Sequence, residues 1–106
     1  MYDECAFVLQ HTAQQNFETV TGNKVLMRAL ERSIEIIGEA AKKVEDDFKA
    51  RHPHIEWRKM AGTRDRLIHH YFGIDYDIFW DIVQHKIPEL YGYLTEIMEE
   101  LQQGDN

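Results

Sequence analysis

Six polar residues with chemical capability crowd one short stretch of this chain. Arg64, Asp65, Arg66, His69, His70 and Tyr71 fall within eight residues. A histidine titrates near neutral pH and can take or give a proton. An arginine presents a rigid fork of donors that suits the oxygens of a phosphate or a carboxylate. Asp65 and His69 stand four apart. On a helix that spacing puts them on one face, where a carboxylate can fix the tautomer of the ring and favour its charged form. Arg64 and His69 stand five apart, about 140° around an ideal helix. They converge only if the long arginine bends across, or if the helix loosens before Gly73. Tyr71 lies on nearly the opposite side from His69. Spacing therefore leaves two readings open. In one, these residues form a site. In the other, Arg64 pairs with nearby acids, His69 caps a helix or is half-buried, and Tyr71 packs as a core aromatic.

Elsewhere the chemistry is thinner. His52 and His54 flank Pro53, where a metal would need more ligands than are visible. His11 and His85 are isolated. Cys5 is the one cysteine, so neither an internal disulfide nor a thiolate zinc site can form within the chain, and it reads as a small apolar residue on a helix. There is no HExxH, no Walker loop and no dinucleotide fingerprint. No cofactor or metal is implied.

The elements that must position these residues have helical period. From Val25 the apolar and small residues fall at Leu26, Ala29, Leu30, Ser33, Ile37, Ala40, Ala41, Val44 and Phe48, a single buried stripe. Lys24, Arg28, Glu31, Arg32, Glu35, Lys42, Lys43, Glu45, Asp46 and Asp47 occupy the other face and read as solvated. The pattern predicts a long helix from about Asn23, a plausible N-cap, to about Arg51, ahead of Pro53. A first helix runs from Tyr2 to about Asn16, with Phe7, Val8 and His11 on one face. The stretch Phe17 to Gly22, rich in β-branched residues, reads as a connection. Helical spacing resumes from Ile55 to Tyr71 and stops at Gly73. Asp75 then offers an N-cap for a helix through Ile78, Phe79, Ile82 and Val83. Pro88 suits the first turn of a fresh or kinked helix from about Lys86 to Leu101, and Gln102 to Asn106 looks frayed. No strand alternation is present. The expected fold is an all-α, antiparallel up-and-down bundle of four to five helices in one domain, residues 1–106.

Composition sets outer limits. The chain has 106 residues and a formal net charge of −7, which argues against a broad nucleic-acid coat but not against a small, locally basic RNA site. No stretch is apolar and long enough to span a bilayer, so no membrane role is expected. Met1 to Gln10 lacks a basic leader region, and the cytoplasm is the expected compartment.

The segment from Arg64 resembles a known pattern. Arg64, four intervening residues, His69, one residue and Tyr71 match the R-x4-H-x-Y signature of the HepT-like toxins, within the wider HEPN group. Ser33 to Ala41 resembles that family's "IIGEA" helix. Pro53, Ile55, Trp57, Ala61 and Gly62 resemble its approach to the motif. Phe72-Gly73-Ile74-Asp75, Trp80, Pro88 and Leu90 resemble the family's residues on the C-terminal side of it. The similarity covers about Met27 to Leu94. The first helix matches least well, and position 65, often Asn in that family, is Asp here.

The resemblance implies a HEPN-like bundle acting as the toxin half of a prokaryotic toxin–antitoxin pair. It implies a metal-independent endoribonuclease that works as a homodimer, two motifs facing one cleft. Arg64 and His69 would be catalytic and Asp65 supporting, with Arg66 and His70 available for RNA contacts. It also implies an MntA-like nucleotidyltransferase antitoxin as partner, which in some pairs transfers AMP to the motif tyrosine, here Tyr71. A competing reading of a different class is a non-catalytic helical partner, or substrate-binding subunit, of a minimal nucleotidyltransferase. The acidic charge suits that reading slightly better.

Overall fold

From Asn23 onward the chain folds with the expected period, but over a shorter span. The computed structural model describes residues 1–69 and 73–104, and for residues 68, 69 and 104 the backbone alone. In chain order the elements are α1 (Tyr2–Thr12), α2 (Phe17–Thr21), α3 (Lys24–Lys43), α4 (Asp46–Arg51), α5 (Trp57–Ala61), α6 (Thr63–Leu67), β1 (Ile68–His69), β2 (Gly73–Ile74), α7 (Tyr76–Asp81), a π-helical turn (Ile82–Lys86) and α8 (Ile87–Gly104). The all-α class is as expected.

Asn23 caps α3, its side chain accepting from the Leu26 N–H at 3.0 Å. The predicted continuation to Arg51 is broken at Val44, which adopts extended backbone with φ −66° and ψ 135°. Lys42 and Lys43 end α3, and Asp46 and Asp47 begin α4. Cations at one helix end and anions at the next start favour two dipoles over one uninterrupted helix. The buried stripe also sits slightly off the expected one. Met27, Leu30, Ser33, Ile34, Ile37, Gly38 and Ala41 are buried, whereas Val25 is 81% exposed.

The first helix ends at Thr12, earlier than Asn16, because Ala13 leaves helical backbone and Gln14 takes φ 60°. Asn16 then caps α2, accepting from the Thr19 N–H at 2.8 Å. This cap outweighs the poor helix propensity of Thr19, Val20 and Thr21, so the expected connection is helical. Helix α1 runs antiparallel to α8. The Tyr2 and Tyr91 hydroxyls share a hydrogen bond of 3.0 Å, while Leu9 and Thr12 border Val83, Gln84 and Pro88.

Pro88 does not start a separate helix. The Ile87 N–H bonds back to the Ile82 carbonyl, five residues earlier. That wider turn carries the helix up to a residue that has no N–H to give. The helix then runs on to Gly104, past the point where fraying was expected, and Leu101 is exposed rather than core. Leu30, Ile34 and Ile37 of α3 meet Leu67, Phe79, Ile82, Val83 and Ile87 in one buried cluster.

Candidate active site

Two close backbone contacts place the motif. Gly38, midway along α3, lies so near α5 that a Cβ there would come to 3.2 Å from the Met60 carbonyl oxygen and 3.5 Å from that of Ala61. A side chain there would be tight against α5, and the neighbouring backbone would have to give by a few tenths of an ångström. From the anchored α5 the chain turns at Gly62, and the Thr63 hydroxyl donates to the Lys59 carbonyl at 3.0 Å. Thr63 and Leu67, four apart, are both buried and define the inner side of α6. Arg64, Asp65 and Arg66 between them are exposed.

Arg64 and Asp65 border a polar cleft of about 130 Å³, whose other walls are Glu35, Gly38, Glu39 and Lys42 of α3 and Ala61 of α5. Glu35 pairs with Arg32 at 3.4 Å, and Glu39 with Lys42 at 3.6 Å. Both pairs are solvent-exposed, so they hold the acids only weakly. The Arg64 side chain makes no hydrogen bond or ion pair among the described residues. Its guanidinium is available to an anion entering the cleft. Arg66 is exposed but does not line it.

The helix expected to reach Tyr71 ends at Leu67. Ile68–His69 is extended and pairs antiparallel with Gly73–Ile74, in the register Ile68↔Ile74 and His69↔Gly73. Three features favour the change. Gly73 holds a positive φ of 74°, easy for glycine alone. The Asp75 N–H donates to the Leu67 carbonyl at 2.8 Å, closing the excursion. Ile68 and Ile74, β-branched, suit extended backbone. The expected face-sharing of Asp65 and His69, and the 140° splay of Arg64 and His69, are therefore replaced by a helix-to-strand change between them. The side chain of His69, and the whole of His70 and Tyr71, lie outside the described residues.

Asp75 caps α7, accepting from the Ile78 N–H at 3.1 Å. Glu35 and Lys42 were expected on a solvated face, yet together with Glu39 they form one wall of the cleft. The placement of these three residues, three and four apart around Gly38, is the signal that could have found them. Among the described residues no group of three or more His, Cys, Asp or Glu could hold a metal ion, and no helix is long and apolar enough to cross a membrane.

A family model described as "Ribonuclease HepT-like" matches residues 1–97. A protein of Caldanaerobacter subterraneus subsp. tengcongensis, named as a candidate RNase, is 42% identical over 96 residues, covering 91% of this chain and 86% of its own. A candidate RNase of Methanocaldococcus jannaschii is 40% identical over 98 residues, covering 92% and 81%. The probable ribonuclease HepT of Thermococcus cleftensis is 46% identical over 88 residues, covering 83% and 80%. No solved structure matches at a significant level.

Proposed function

This chain belongs to the HepT-like ribonuclease family, and from that premise we propose that it is an endoribonuclease, the toxin of a prokaryotic toxin–antitoxin pair acting in the cytoplasm. The observation that carries the reading is Arg64: an exposed guanidinium, unpaired among the described residues, at the mouth of a polar cleft five residues before His69. In the proposed reaction Arg64 holds a phosphate of the RNA. The His69 ring accepts the proton of the 2′-hydroxyl, whose oxygen attacks the adjacent phosphorus. The bond from phosphorus to the 5′-oxygen breaks, and that oxygen takes a proton from an imidazolium. The products are a 2′,3′-cyclic phosphate and a 5′-hydroxyl, with no metal required. Asp65 supports from the cleft wall, and Arg66 and His70 are available for RNA contacts. The active form is a homodimer with two motifs facing one cleft, each chain a single domain over residues 1–106.

The test is cleavage of a labelled RNA by the full chain with EDTA present. Arg64→Ala and His69→Ala should each lower the rate by roughly 10²-fold or more while keeping the helical circular dichroism of the parent. Wild-type cleavage by either folded variant removes that residue from catalysis. The net charge of −7 favours a second reading, a non-catalytic helical partner of a nucleotidyltransferase, and absence of cleavage by the parent chain would select it.

Control is proposed to come from an MntA-like nucleotidyltransferase that transfers AMP to Tyr71. An AMP two residues from His69 would add a negative phosphate where the RNA phosphate must lie. Mass spectrometry of the co-expressed pair should show an added AMP on Tyr71, lost in Tyr71→Phe. A neutralised but unmodified toxin contradicts this mode of control.

A further inference from the structure

The α3 face that walls the cleft beside Arg64 runs on toward the start of that helix. Lys24, Arg28, Glu31, Glu35, Glu39 and Lys42 succeed one another at steps of three or four residues and so share one face of the helix. That face spans about 27 Å at 1.5 Å per residue. Its second half forms the wall opposite Arg64. Its first half borders a separate groove of about 310 Å³, lined by Thr21, Lys24, Met27, Arg28, Glu31 and Tyr76. That volume falls within the range of small-molecule sites, about 300–1,000 Å³.

Three features of this groove bear on a ligand. Tyr76 is 46% exposed, one of few large apolar or aromatic side chains so open among the described residues. It opens α7 directly after Asp75, whose N–H is bonded to Leu67 at the base of the His69 strand pair. Lys24 and Arg28, both exposed, enter no ion pair within 4 Å among the described residues. They are a local pair of cations on a chain of net charge −7.

We propose that this groove is a second RNA subsite, in which Tyr76 stacks on a base of the bound strand outside the Arg64 cleft and Lys24 and Arg28 hold the phosphate beside that base. The proposal rests on the ribonuclease reading of the Arg64 cleft and extends it. A ring that every base can stack on, with two mobile cations beside it, binds single strands with little sequence preference. Glu31 stands one turn beyond Arg28, so the phosphate belongs at the Lys24 end, away from that carboxylate. Burial pushes the Glu31 carboxyl up, with Arg28 acting against the rise. Tyr76 follows the strand pair by two residues in sequence.

The experiment measures binding apart from cleavage. Fluorescence anisotropy of the full chain with a short, single-stranded 2′-O-methyl RNA works on a ligand whose 2′-oxygen cannot attack. Tyr76→Ala should weaken binding roughly tenfold, the scale of one lost base stack, and Tyr76→Phe, which keeps the ring, should restore most of it. Lys24→Gln with Arg28→Gln should reduce the slope of log affinity against log salt by roughly 0.7, one phosphate contact on a single strand. Unchanged affinity in both Tyr76→Ala and the double variant overturns the proposal. So does an unchanged affinity joined to a fall in sedimentation mass, which would make the groove an interface between copies. Failure of the catalytic reading is separate: it would appear as wild-type cleavage by Arg64→Ala or His69→Ala, whatever the anisotropy shows.

Discussion

Arg64 and Cys5 are opposite cases of how surroundings set what a side chain can do. Arg64 is held outward because Thr63 and Leu67 take the buried side of a single-turn helix, so its charge remains open to a ligand. Cys5 is fully buried, and burial pushes its thiol from 9.0 up to about 12. The thiolate is the reactive form, so folded Cys5 should be inert to a thiol reagent at neutral pH and react only as fast as the chain opens. The same shift gives a stability prediction. The folded state favours the neutral thiol, so the advantage is full below about pH 9 and is lost as pH rises toward about 12. Urea titrations of the parent minus those of Cys5→Ala should show that loss. A difference independent of pH contradicts it. The motif residues themselves are legible from type and spacing. Their geometry is not, because helical arithmetic assumes that the helix continues, and it ends at Leu67.

At the scale of elements, the site depends on how closely α3 and α5 approach. Gly38 permits that contact, and α5 leads through Gly62 directly into α6 and Arg64. Gly38→Val should therefore cost about 1–3 kcal/mol by overpacking, read as a lower urea midpoint. It should also slow RNA cleavage, since α6 must shift with α5. A variant of unchanged stability and activity would show that the contact does not position the motif. Helical periodicity makes α1, α3, α7 and α8 readable. It misses the breaks at Val44 and Gly62, where end charges and a backbone turn decide the matter over a single residue. It also misses the two-residue strand pair, which is too short to carry alternation. Asn16 and Asn23 cap α2 and α3 through the same side-chain bond, yet only the second precedes residues of good helix propensity, and only the second is legible as a cap.

The whole molecule is a thin body. Its principal extents are 47 × 29 × 18 Å. Its radius of gyration of 14.6 Å exceeds the roughly 13 Å of a compact domain near this size. A body this thin has broad faces relative to its core, a shape suited to pairing through one of them. The proposed homodimer should appear in sedimentation equilibrium at micromolar concentration as twice the 12.6 kDa chain. A monomer there, active at the same concentration, contradicts the shared-cleft arrangement. The acidic charge of the chain is spread over helix faces, and in the proposed sites the cations Lys24, Arg28 and Arg64 would supply only local attraction for RNA. In the proposed reaction Arg64 and His69 cleave RNA through its own 2′-hydroxyl. Its most direct measurement is end-group analysis of RNA cut by the full chain in EDTA. The expected result is fragments ending in 2′,3′-cyclic phosphate with 5′-hydroxyl partners, absent with His69→Ala. Fragments ending in 3′-hydroxyl with 5′-phosphate, or the same cyclic ends from His69→Ala, would contradict it.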